Sequence, residues 1–285
     1  MNYTYEPISA LAISGMTVSG LISLAAPIVL FFLWRKKAGA KLSSFILGCV
    51  TFFMWALILE SFFHKVVFSL TGTAITGHLL YYALYGGLAA GLFEEFGRHF
   101  AMKAGMKGNL KTLNKENAIM FGIGHGGIEA ILVCVVSEIS NVATSIAINR
   151  GGITEVLDKV ADGAAKDALY QQISVLWTYN GGIFFAAGIE RLSAMAFHIG
   201  ASYLVYKAVA DKKAGYFFLA VFLHAILDAG TMLLNGSGCP IWALEAVVAA
   251  FSAIFLVLVI KDYKKREDVT ELAETKVETE EKAEA

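Results

Sequence analysis

Apolar runs of about 20 residues recur between residues 14 and 260, and that is the length an α-helix needs to cross roughly 30 Å of bilayer hydrocarbon. Lipid offers the backbone no hydrogen-bond partners, so each such run must satisfy its own N–H and C=O groups. The feature specifies an all-α, polytopic helical membrane protein. Composition agrees, with 57% hydrophobic and only 16% charged residues. A formal net charge of −1 gives no basic surface for a nucleic-acid partner.

Lys and Arg orient the spans. The first 34 residues contain neither, so the basic n-region of a cleaved secretory signal is missing and residues 14–34 read as a retained first span. Further spans are expected at 42–63, 78–103, 118–137, 188–207, 216–234 and 241–260, about seven in all. This arrangement collects the basic clusters at 35–41, 103–115, 207–213 and 261–266 on one side. It predicts a multi-pass protein of the cell membrane with the N-terminus outside and the C-terminus cytoplasmic. Residues 173–207 are too long for one span, but two crossings there would put the last basic cluster outside. A single crossing is therefore expected, with 173–187 as a re-entrant or interfacial approach and an eighth span as the alternative. Residues 138–172 read as an external amphipathic loop. The bundle then covers 1–263, with a motif-bearing core at 78–234, and 264–285 form a charged cytoplasmic tail, disordered or a frayed helix.

Ionisable groups inside the bilayer cost at least about 2.5 to 3.5 kcal/mol each, and such residues normally face a bundle interior and carry function. This chain has many: Glu94, Glu95 and Arg98 in EEFGR, His125 and Glu129 in GHGGIEA, Glu190, Arg191 and His198 in ERLSAMAFH, and His224 and Asp228 in HAILD. Counted from the span ends at about 1.5 Å per residue, His125, His198 and His224 lie roughly 10 to 14 Å deep, one layer in the cytoplasmic half. The i, i+4 pairs Glu94/Arg98, His125/Glu129 and His224/Asp228 each share a helix face. A carboxylate one turn from an imidazole can accept its second N–H and fix its tautomer. Gly122, Gly124, Gly126 and Gly127 allow either close helix approach or a broken helix at His125. Glu60, His64, His78 and His99 fall at span ends, where snorkelling or interfacial placement accounts for them. The aromatic stripe over 81–100 reads as lipid-facing or packing.

EEFGR, FGIGH (121–125) and HAILD, in this order on successive spans, resemble the three motifs of the CAAX-type intramembrane endopeptidases: a paired Glu with a downstream Arg, F-x-x-x-H, and H-x-x-x-N or D. With GHGGIEA and ERLSAMAFH added, the chain is most similar to the YhfC-type intramembrane peptidases, with PrsW-type proteases as more distant relatives. The likeness runs from about Gly91 to Asp228. Two departures stand out. Only Phe96 and Gly97 separate the second Glu from Arg98, which puts Arg98 one turn from Glu94 and leaves open which carboxylate acts. Asp228 replaces an Asn, so it orients His224 or binds a cation rather than donating to an oxyanion.

The resemblance implies an intramembrane endopeptidase that hydrolyses peptide bonds in or near the membrane, taking the bilayer and a membrane-embedded polypeptide as partners. Glu94 and Glu95 supply the base that activates water, Arg98 holds the pair ionised, His125 shares the water, and His224 with Asp228 binds the substrate carbonyl or the leaving group. Glu129, Glu190, Arg191 and His198 support that set in a glutamic mechanism. In a metallo mechanism His198 joins His125 and His224 as a ligand of zinc, which lowers the pKa of its bound water to about 7. The sequence does not choose between the two, and leans slightly to the metal-free one because paired carboxylates near an arginine suffice for base catalysis. Two other classes stay open on the same residues: a seven-span zinc-dependent lipid amide hydrolase and a proton-coupled transporter.

Overall fold

The computed structural model describes residues 3–160 and 163–266. Most of the expected tail, 267–285, lies outside the described residues; its first residues, Lys264 and Lys265, belong to the last helix. The described chain is all-α, with no strand. Its principal helices are α1 (Ala10–Ala38), α2 (Leu42–Thr71), α3 (Leu79–Phe100), α4 (Lys115–Gly151), α5 (Gly163–Thr178), α6 (Gly181–Ala210), α7 (Ala214–Gly236) and α8 (Ile241–Lys265). Six of them, α1, α2, α4, α6, α7 and α8, are long and apolar enough to cross a membrane. The seventh expected span, α3, is 22 residues long, about 33 Å at the helical rise, but Glu94, Glu95 and Arg98 dilute its hydropathy. Its outer face, with Leu84, Leu88, Phe96 and Phe100 exposed, is apolar.

Two expectations concern the middle of the chain. A single crossing does serve 173–207, as α6, although that helix starts at Gly181 rather than 188. The amphipathic stretch 138–172, with its helical periodicity, is mostly helical among the described residues. Nothing breaks α4 between Glu129 and Gly151, and the helix ends only where Gly152 takes a positive φ of 83°. Beyond it, Ile148, Ile153, Leu157, Ile173 and Leu176 pack with Ile8, Ala12 and Met16 into a small apolar cluster. Asn149 fastens the N-terminal strap there, donating to the Ile8 carbonyl at 2.9 Å and accepting the Ile8 N–H at 2.8 Å.

The basic clusters gather at the opposite end. Arg35, Lys36 and Lys37 close α1, Lys207 donates to Asp262 at 2.9 Å, and Arg266 donates to Asp211 at 3.0 Å. The Arg266 guanidinium holds the Asp211 carboxyl below its usual range. The positive-inside rule predicts that this end faces the cytoplasm. Cysteine-accessibility labelling of intact cells is expected to find Lys37 and Lys264 positions on the same, inner side, and labelling on opposite sides would refute the arrangement.

Close backbone approach explains the glycines of α4. A Cβ on Gly124 would lie 2.1 Å from the Phe45 carbonyl oxygen of α2, and one on Gly122 would lie 2.7 Å from Ile199 Cα of α6. Helix α4 is therefore wedged between α2 and α6 at backbone distance, and it stays continuous through His125. Directly after Glu129 it widens into a π-helical stretch over Ala130–Val135, a device common next to functional residues. Helix α3 approaches α7 in the same way, since a Cβ on Gly87 would lie 2.4 Å from the Ala225 carbonyl oxygen.

Candidate active site

The ionisable residues of the four motifs meet where α3, α4, α6 and α7 pack. His125 lies ten residues into α4 and His224 ten residues into α7, about 15 Å from the basic helix ends at the helical rise. His198 lies twelve residues from the end of α6, or about 18 Å. These similar distances place the three imidazoles in one layer, well inside the helices.

Glu94 is the hub. Its Oε2 lies 2.8 Å from His125 Nε2 and 3.8 Å from His198 Nδ1, and its Oε1 lies 4.0 Å from His224 Nε2. Glu95, about 100° further round α3, faces differently. It takes a two-pronged contact from Arg98 at 2.9 and 3.2 Å, and its Oε1 is 2.8 Å from His224 Nδ1. The Glu94–Arg98 pair expected from the spacing is present as a longer ion pair of 3.8 Å, while the two prongs of the guanidinium go to Glu95, one residue nearer in sequence. The same arginine also donates to Ser202 at 2.7 Å and to the His198 carbonyl at 3.4 Å. Ser202 escaped the sequence reading, although it stands one turn beyond His198 on the same face.

The remaining groups support this hub. Glu129 Oε2 lies 2.5 Å from His198 Nε2 and its Oε1 accepts from Arg191 at 2.7 Å; Arg191 also pairs with Glu190. The seven-residue alignment of Arg191 with His198 is therefore realised through Glu129 on the neighbouring helix. Asp228 Oδ2 lies 3.5 Å from His224 Nε2. Glu94, Glu129, Glu190, Arg191, His198, His224 and Asp228 line a cavity of about 100 Å³, while the fully buried Glu95, Arg98 and His125 contact His224, His198 and Glu94 without lining it. A neighbouring space shares Asp228 and Thr231 with this cavity and lies toward the ends of α2, α3 and α7 remote from the basic clusters.

The donor set fits a divalent metal. Glu94, His125 and His198 offer ligand atoms that all lie within 4.8 Å of one another, and imidazole with carboxylate suits zinc. Two of the three histidines turn an inner nitrogen toward Glu94 while the outer one rests on a carboxylate, His198 on Glu129 and His224 on Glu95, the arrangement that orients metal-binding imidazoles. His125 differs, because its buried Nδ1 has no hydrogen-bond partner. Arg98 Nη2 lies 3.2 Å from His198 Nδ1 and 3.4 Å from His125 Nε2. Those two long contacts would yield to a metal, leaving Arg98 its shorter bonds to Glu95 and Ser202.

Fold and site together define an integral membrane protein of six or seven spans with a Glu–His centre buried at mid-depth. The chain belongs to the YhfC intramembrane metalloprotease family, whose sequence model matches residues 22–251. It is 34% identical over 258 residues, 89% of this chain and 97% of the relative, to a Bacillus subtilis (strain 168) protein described as "Uncharacterized membrane protein YhfC". No solved structure matches the chain.

Proposed function

We propose that this protein hydrolyses peptide bonds of membrane-embedded polypeptides at a metal-assisted centre in which Glu94, His125 and His198 hold the ion. The observation that carries this reading is the ring of imidazole nitrogens around Glu94, two of them braced from behind by carboxylates. A bound zinc ion would act as a Lewis acid on the scissile carbonyl and on water.

The chain's own groups do the rest. The two oxygens of Glu94 face different partners, Oε2 toward His125 and His198 and Oε1 toward His224. Glu94 can therefore take a proton from the attacking water and pass it to His224, which delivers it to the leaving amine. Asp228 stabilises His224 while it carries that proton, and Glu95 fixes the imidazole by accepting from Nδ1. Arg98 keeps Glu95 ionised in a site shut off from water. Glu129, itself clamped by Arg191, sets the orientation of His198.

Metal analysis of purified protein tests the centre directly. About one zinc per chain is expected, falling to a small fraction in the His198→Ala variant, since loss of one first ligand removes much of the affinity. Chelation should abolish cleavage of a single-span substrate reconstituted in liposomes, and added zinc should restore it. Cleavage that survives chelation and still depends on Glu94 would assign the same Glu94–His224 pair to a metal-free glutamic mechanism. Hydrolysis of lipid amides but of no polypeptide would replace the reading altogether.

A further inference from the structure

The cavity at Glu94 shares Asp228 and Thr231 of its lining with a second space that the chemistry above leaves unused. This cleft, of about 360 Å³, lies between α2, α3 and α7 and is walled by Phe68, Tyr82, Tyr85, Ala90 and Met232, with His64 at one side. Ala90 stands one helical turn before Glu94 on α3, so the cleft begins about 6 Å along the helix from the hub.

A hydrogen-bonded relay runs along its wall. The Tyr85 oxygen is 2.7 Å from His64 Nδ1, and His64 Nε2 is 3.2 Å from Oε1 of the buried Glu60. His64 bridges the Tyr85 hydroxyl and the Glu60 carboxyl. In either tautomer of the imidazole the Tyr85 oxygen keeps a lone pair that it can offer to a ligand. Snorkelling at a span end, which the sequence suggests for Glu60 and His64, does not explain an imidazole with both nitrogens engaged inside the bundle.

Peptide hydrolysis inside a bilayer requires local unwinding of the substrate helix, and every backbone group freed in this way needs a new partner. An intact helix, about 10 Å across with its side chains, is too bulky for this space, whereas one unwound residue with a large side chain suits a pocket near the lower end of the usual ligand range of about 300 to 1,000 Å³. A lipid acyl chain would find the aromatic walls but has no use for a buried acceptor.

Resting on the peptidase reading above, we propose that this cleft is the subsite for the unwound segment of the polypeptide substrate. The Tyr85 oxygen, held by His64 and Glu60, accepts a freed backbone N–H. The aromatic walls receive one bulky apolar side chain next to the cleaved bond.

Crosslinking tests this apart from cleavage. In a Glu94→Gln background carrying Ala90→Cys, a single-span peptide with a cysteine moved along its sequence should form a disulfide at two or three consecutive positions, those flanking the bond the active enzyme cuts. In the active enzyme, Ala90→Leu, which fills the cleft, should lower kcat/KM for substrates with Leu or Phe at that position about 10- to 200-fold relative to substrates with Ala. Tyr85→Phe should lower kcat/KM roughly tenfold on all of them without altering the preference. If Ala90→Leu does not fold, Phe68→Ala, which widens the wall, should shift the preference toward Trp. Localised crosslinking without any cleavage by the active enzyme would remove the peptidase reading and keep the cleft as a polypeptide site. Crosslinking that is absent, uniform along the peptide or abolished by added phospholipid would overturn the proposal, as would an unchanged side-chain preference.

Discussion

Glu94→Gln is expected to lower the rate of peptide cleavage by about 10²- to 10⁴-fold, the usual worth of a positioned general base, while the protein still folds. Glutamine keeps the shape of the side chain but has no basic oxygen for water and donates an N–H toward imidazole nitrogens that meet an acceptor now, at 2.8 Å for His125. Single-turnover cleavage in liposomes, with thermal unfolding in detergent as the folding control, measures the effect. Because Glu94 is also a ligand in this reading, zinc content is measured alongside: a variant that keeps its metal and loses activity assigns the loss to the base, and retention of more than about a tenth of wild-type activity would exclude that role. The same experiment on Glu95→Gln separates the two carboxylates. Glu95 lies behind the cavity and touches Arg98 and His224, so its loss should fall more on stability and on the orientation of His224 than on proton abstraction.

Arg98→Met is expected to be the most destabilising single change in the bundle, by about 3 to 5 kcal/mol, because it leaves buried carboxylates without their cation. Arg98 is fully buried, donates to Glu95 with two prongs and reaches α6 through Ser202. Thermal unfolding in micelles should show a large loss for Arg98→Met and a partial recovery in the Arg98→Met, Glu95→Gln double variant, where no uncompensated charge remains on that pair. A single variant that melts like the wild type would show that the pair contributes nothing to the folded state. Arg98→Lys should lie between, since an ammonium supplies the charge without the fork.

The span pattern was readable because bilayer thickness imposes a length on every apolar run, and i, i+4 spacing placed His224 with Asp228 and tied the four motifs to one depth. What went unread came from partners distant in sequence. The contact of Glu94 with His125 joins α3 to α4, and the link from Arg191 to His198 passes through Glu129 on α4. Likewise, Glu60 and His64 pass for span-end residues until Tyr85, 21 positions away from His64, closes the relay. The helical periodicity of 138–151 was legible because no Gly or Pro interrupts that stretch before Gly151, whereas its packing against the N-terminal strap was not, because the partners are distant in sequence.

The pairing of Arg98 with Glu95 inside a single helix also bears on how the chain is made. Helix α3 carries two carboxylates into the membrane long before His198 and His224 have been synthesised, and the arginine one turn away lets it arrive with half of that charge already compensated. The centre itself stays incomplete until α7 is threaded into place, since Glu94 and Asp228 come from segments at nearly opposite ends of the motif-bearing stretch. Nascent chains therefore pass through the insertion machinery as inert cargo, and a hydrolytic centre among newly made membrane proteins is withheld until assembly is nearly finished.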